Sequence, residues 1–152
     1  MKHVFRTVVL FLTITAMSFG AGLGFAPLEN SLSLRTSADD FCYWDFKLGY
    51  DIIAVGPAVL LTATPEIDFV FRPVNNRMMK FFIGAGIFME NYLIGLSMPL
   101  GVEFFIPKAE NVSISAYANP AFFVVGYFQM KLRSGVSVHY YFDDRHTSVT
   151  NK

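Results

Sequence analysis

The chain has little of what most folds lean on. A single cysteine, Cys42, among 152 residues excludes a disulfide framework. Charge is scarce at 16%, and twelve basic residues balance twelve acidic ones. No field of one sign is therefore available to attract nucleic acid. Long apolar runs are missing as well. The longest, residues 52–63, is broken by Gly56-Pro57 and falls short of the roughly 18 residues from which a spanning helix is read. What is present is apolar. Hydrophobic residues make up 53%, with 17 Phe and 7 Tyr, and the mean hydropathy is +0.42. That content excludes disorder for most of the chain, and the length suits one domain.

The first residues read as an export signal. Lys2, His3 and Arg6 precede a short apolar stretch, residues 7–19, and the small residues Ser18, Gly20, Ala21 and Gly22 follow. This is the order of a secretory signal peptide, with cleavage near residues 18–22. Its apolar stretch is short for a membrane anchor, which needs about 20 residues. The expected organisation is a signal peptide over residues 1–21, a barrel domain over 22–142 and a polar tail over 143–152.

Apolar residues alternate along the rest of the chain. Trp44, Phe46, Leu48, Tyr50 and Ile52 are separated by Asp45, Lys47, Gly49 and Asp51. Ile67, Phe69 and Phe71 oppose Glu66, Asp68 and Arg72. Residues 80–90, 92–104, 112–119 and 128–142 repeat the pattern, and residues 28–35 and 54–62 carry it more weakly. A helix, with its period of 3.6, cannot sort residues this way. Turn signals stand at residues 37–40, 64–65, 73–76, 90–91 and 107–111. The count is about eight strands, and the expected fold is all-β: an antiparallel up-and-down transmembrane β-barrel.

Two orientations share this alternation. A soluble, lipocalin-like barrel turns its apolar face inward, whereas a membrane barrel turns it outward. The polar face here is thinly charged and rich in Gly, Ser, Asn and Tyr, as suits a narrow packed lumen. The apolar face is aromatic, with rings near strand ends. The interfacial set is read as Tyr43, Trp44, Phe104, Phe105, Tyr140 and Phe142. The lumen set is read as Asp45, Lys47, Asp51, Asp68, Arg72, Glu103, Tyr117, Lys131, Arg133 and His139. Charges buried in so narrow a lumen must pair.

The second half also resembles a family of small bacterial outer-membrane β-barrel proteins, mostly of unknown function. The matching pieces are Pro99-Leu100-Gly101-Val102-Glu103-Phe104, a segment ending in Asn119-Pro120, and the closing Gly135-Val136-Ser137-Val138-His139-Tyr140-Tyr141-Phe142. The resemblance covers residues 81–142. It implies an eight-stranded barrel of the OmpA/OmpX type, inserted by the outer-membrane assembly machinery. The family often carries charged residues where this chain has Ser97, Tyr117 and His139, while Glu103 is kept.

Motifs of catalysis and metal binding are weak. His139 is the one histidine on a strand pattern, sharing its face with Ser113, Ser115 and Ser137, with Glu103 as a candidate partner. No nucleophile elbow accompanies it, and no His, Cys or carboxylate set has metal-ligand spacing. Gly84-Ala85-Gly86 lacks the rest of a phosphate loop. The expectation is a non-enzymatic outer-membrane barrel with a structural or surface-interaction role and no cofactor. Its partners would be outer-membrane lipid and, during insertion, the barrel assembly machinery, with no nucleic acid. A narrow channel and a secreted or periplasmic lipocalin-like barrel for an apolar ligand are the alternatives. Residues 36–41 and 120–128 are the expected surface loops, the second the more exposed.

Overall fold

Alternation with period two commits each segment to a strand with one apolar and one polar face. The computed structural model describes residues 22–55, 58–91, 93–124 and 129–142, except for the side chains of residues 51–61. Its strands are β1 (Gly22–Ala26), β2 (Ser31–Arg35), β3 (Cys42–Val55), β4 (Ala58–Asn75), β5 (Met79–Glu90), β6 (Leu93–Ser97), β7 (Leu100–Ile106), β8 (Ala109–Phe123) and β9 (Gln129–Tyr141). Among the described residues there is no helix. β6 and β7 share one place in the wall, separated at Met98-Pro99, and both lie between β5 and β8. All neighbours are antiparallel, and β9 returns to pair with β1. The result is a closed eight-stranded barrel.

The register can be followed once round the wall. Phe122 of β8 stands beside Leu96, Leu96 beside Ile87, and Ile87 beside Ile67. Phe46, Leu34, Leu23 and Tyr140 continue the row, which returns to β8 at Val112. It leaves β8 at position 122 and comes back at position 112, a stagger of ten residues. Eight strands with such a stagger tilt by roughly 40°. Every member of this row is apolar and faces outward.

The inner face is the reverse. Ser33, Arg35, Asp45, Glu66, Asp68, Arg72, Lys80, Glu103, Asn119 and His139 are buried, while Phe46, Ile67, Ile83, Ile87, Leu96, Leu100, Val136 and Val138 are exposed. Apolar groups join the interior where space requires: Tyr43 with Val70 and Phe82, and Phe88 with Ala121 and Phe123.

Several boundaries differ from the pattern reading. Gly22–Ala26 is a strand, although its glycines hide the alternation; Gly24 is needed because a Cβ there would meet the His139 ring. Thr64-Pro65 is not a turn. β4 runs straight through it from Ala58; Ala54 and Val55 end β3 and residues 58–62 begin β4, so they do not form a strand of their own. Proline is tolerated there because the β4–β5 ladder starts at Glu66, so Pro65 sits at a free edge. β8 continues past Asn119-Pro120 to Phe123, so the second half of the chain does not end a strand at that pair. The proposed signal segment, residues 1–21, and the tail, residues 143–152, lie outside the described residues.

Gly86 marks the tightest inner packing. A Cβ there would run into Asp68 Oδ1 and the Ile67 carbonyl. Gly86→Val is therefore expected to lower stability by about 1–3 kcal/mol through overpacking, seen as a lower urea midpoint for the refolded barrel.

Candidate functional site

Strand phase and closure together bring distant charges into one interior, in two layers. The barrel's lower end carries Gly22, Phe142 and the connections at 36–41, 76–78 and 107–108; the upper end carries the β1–β2 and β5–β6 turns and the heads of the β3–β4 and β8–β9 pairs.

Glu103 of β7 is the hub of the lower layer. Its Oε1 accepts from Arg35 Nη1 at 2.9 Å, Ser113 Oγ at 2.6 Å and Tyr141 Oη at 2.7 Å. Its Oε2 accepts from Arg72 Nη2 at 3.1 Å. Arg35 Nε also reaches Asp45 at 3.0 Å, and the Arg72 guanidinium lies 3.9 Å from the centre of the Tyr43 ring. Arg72 Nη1 donates to the carbonyls of Ser37 and Asp40, and Lys80 Nζ to that of Ala38 and to Asp39 Oδ1. Residues 36–41 are thereby pinned across the lower mouth, with Ala38 buried.

In the upper layer Lys47 Nζ lies 2.6 Å from Asp68 and 3.4 Å from Glu66. Arg133 Nη1 lies 2.7 Å from Glu66, and Asn119 Nδ2 donates to Glu66 at 2.8 Å. Ser97 Oγ donates to Asp68 at 2.6 Å. Low dielectric strengthens each pair and penalises each orphan, so the two layers behave as coupled units.

Between the layers, Ser33 Oγ lies 2.7 Å from His139 Nε2, the spacing of a nucleophile and its base. Both are buried, and His139 Nδ1 meets no partner. The void beside them, bounded also by Arg35, Asp45 and Phe82, measures about 20 Å³, room for about one water. Glu103 is taken up by Arg35, Arg72, Ser113 and Tyr141, and Ser33 occupies the partner position expected of it.

A larger cavity of about 340 Å³ opens at the upper end. Lys47 and Ser31 line both spaces, so the upper ion-pair layer forms the floor of the open one. Among the described residues no group of His, Cys, Asp and Glu is arranged to hold a metal.

Most residues read as luminal do face inward. Asp45, Asp68, Arg72, Glu103 and His139 are buried, and Lys47, Tyr117 and Arg133 are partly so. Lys131 keeps the inward phase and lines the upper cavity, but it stands exposed at the upper rim, holding Glu90 at 2.9 Å, because β1 and β2 stop below it. The Asp51 side chain lies outside the described residues. The aromatic set also changes. Trp44, Phe104 and Tyr140 face outward and Phe142 is half-buried, but Tyr43 and Phe105 are buried inside. Each sits next in sequence to an outward ring, Trp44 or Phe104, so the pleat turns it to the lumen. Of the two expected loops, residues 36–41 close the lower mouth, whereas residues 120–123 belong to strand β8 near the upper end and residues 125–128 lie outside the described residues. The missed partners are Arg35, Glu66, Lys80, Asn119 and Tyr141. Their phase within each strand carried the signal, since every one matches a residue assigned to the polar face.

No protein-family model, curated protein or solved structure matches this chain.

Proposed function

We propose that the chain is a bacterial outer-membrane β-barrel with a structural or surface-interaction role, without enzymatic activity, reached after export under a signal peptide. The observation that carries this reading is the inverted distribution of side chains. Among the described residues the outward positions of the wall are apolar with few exceptions such as Ser134, and the exposed charges sit at the rims: Asp39, Asp40, Arg77 and Lys108 below, Lys131 above. In water such a surface would be a far larger apolar patch than soluble monomers expose. In a bilayer it is the side that meets lipid.

Dimensions support the same reading. At about 3.3 Å per residue and a tilt of roughly 40°, the outward run from Phe81 to Met89 rises about 20 Å, close to the roughly 25 Å apolar band of such barrels. Rings gather near the lower end: Phe41 packs on Phe71, Trp44 on Phe69, and Tyr140 on Phe142. This is the position of an interfacial girdle. Both ends of the barrel domain lie on that side, the arrangement of an even-stranded barrel whose termini face the periplasm. Closure leaves few backbone groups unpaired in lipid, where each would cost several kcal/mol. A closing strand running to Phe142 suits recognition by the barrel assembly machinery.

The packed interior argues against the other readings. Two layers of ion pairs and the pinned 36–41 segment obstruct a conducting path, and a lumen of charges is the wrong lining for an apolar ligand. The Ser33–His139 pair has no space beside it for a substrate.

The test is electrophoretic. Detergent-extracted envelope protein is expected to migrate faster unheated than after boiling and to be absent from the osmotic-shock fluid. Release as a soluble protein with no heat shift would overturn the proposal.

A further inference from the structure

The upper edge of the wall is uneven. β1 last pairs with β9 at Phe25 and Val138, and β2 with β3 at Ser31 and Gly49. Both neighbours run on, β9 back to Gln129 and β3 to Val55. Among the described residues, no strand lies between their facing edges, residues 129–137 and 51–55. A stagger of ten residues over eight strands puts Ser31 about level with Ser134 and Leu48. The wall is thus notched above the β1–β2 turn. Tyr50 and Leu132 flank the notch, at a level where Leu96 and Met89 still present an apolar outer surface.

Behind the notch lies the 340 Å³ cavity, and its lining is balanced: Lys47, Lys131 and Arg133 against Glu29, Glu66 and Glu90. One group of each sign has unused bonding capacity. Arg133 spends Nη1 on Glu66, while Nε and Nη2 meet no acceptor. These two atoms share one edge of the guanidinium, the fork that fits a phosphate or carboxylate. Glu29 Oε1 is likewise buried without a donor, while the Tyr117 hydroxyl engages the same carboxylate.

We propose that notch and cavity form a lateral binding site for a zwitterionic phospholipid. The phosphate meets the free edge of Arg133, the ammonium turns to Glu29 and Glu90, and the acyl chains leave through the notch past Leu132 and Tyr50. Balanced charge selects the zwitterion, and an opening at the level of the apolar band selects a lipid over a soluble solute. The inference rests on the membrane reading above.

The test uses the full barrel in detergent, with native mass spectrometry and three amphiphiles of equal chain length: lysophosphatidylethanolamine, lysophosphatidylglycerol and monoacylglycerol. The expected result is preferential retention of the zwitterion. Arg133→Gln and Glu29→Gln should each weaken it about tenfold, the loss of one charge-assisted contact. Gly49→Leu should block it, since a Cβ there meets nothing nearer than 3.4 Å and the side chain fills the cavity. Arg77→Gln at the opposite rim should change nothing. Equal retention of all three amphiphiles by the unaltered protein overturns the site, as does glycerophosphoethanolamine binding as tightly as the lysolipid. The headgroup comparison needs no variant to fold. A barrel that shifts on heating yet shows no preference loses the lipid site alone; a soluble barrel with no shift loses the membrane reading with it.

Discussion

Glu103→Ala is expected to lower the stability of the folded barrel by about 3–5 kcal/mol, the usual cost of removing one partner from a buried charge network. Four donors converge on this carboxylate, and two are guanidinium groups. Its loss leaves Arg72 without a carboxylate partner and Arg35 with Asp45 alone. Both arginine side chains are closed off from water behind the pinned lower mouth, so the penalty falls on the native state. Urea unfolding in detergent micelles, followed by the fluorescence of the single tryptophan, Trp44, measures it. The exposed Arg77–Glu110 pair supplies the contrast: Glu110→Ala should cost less than about 1 kcal/mol. Equal effects at the two sites would mean that Glu103 is not a hub.

Ile67→Arg is the second large effect, and it separates the two orientations of the barrel. Ile67 lies midway along the outward face of β4 and is 47% exposed. On a water-facing surface the change should cost within about 0.5 kcal/mol. In a bilayer an arginine near the midplane costs about 2–4 kcal/mol, falling toward 0–1 near the interfaces. Met89→Arg, nearer the upper rim, is therefore expected to be much milder. The measurement is the unfolding free energy of each variant refolded into phospholipid vesicles. A flat profile between positions 67 and 89 would count against membrane insertion, and a gradient would support it. On the proposed membrane reading the charged interior makes the reciprocal point: adding charge outside is expected to be costly and removing it inside is expected to be costly, the inverse of a soluble domain.

Much of this architecture was legible in the order of residues. Period-two alternation specifies strands, and the phase of each strand specifies which residues share a face. Asp45, Asp68, Arg72, Glu103 and His139 were separable from Phe46, Ile67 and Phe104 on that basis alone. The local signal failed in three kinds of place. Gly22–Ala26 has too few side chains to show alternation. Pro65 looks like a turn because proline usually interrupts a ladder, yet here it stands where β4 has no β5 neighbour. Adjacent aromatics such as Tyr43-Trp44 and Phe104-Phe105 read as one girdle, although the pleat sends one of each pair inward.

The sequence by itself determined the strands, their two faces and the apolar band, because alternation is a property of consecutive residues. Tertiary structure alone decided which charges meet. Arg35 finds Glu103, and Arg133 finds Glu66, only once β9 pairs with β1 and the wall is closed with its stagger of ten residues. The same closure decided where the wall falls short. The β1–β2 hairpin is short in the sequence, but it becomes a notch over a polar cavity because β9 and β3 rise on either side of it. Register round a closed sheet sums the pairings of all eight strands, and no single segment carries that sum.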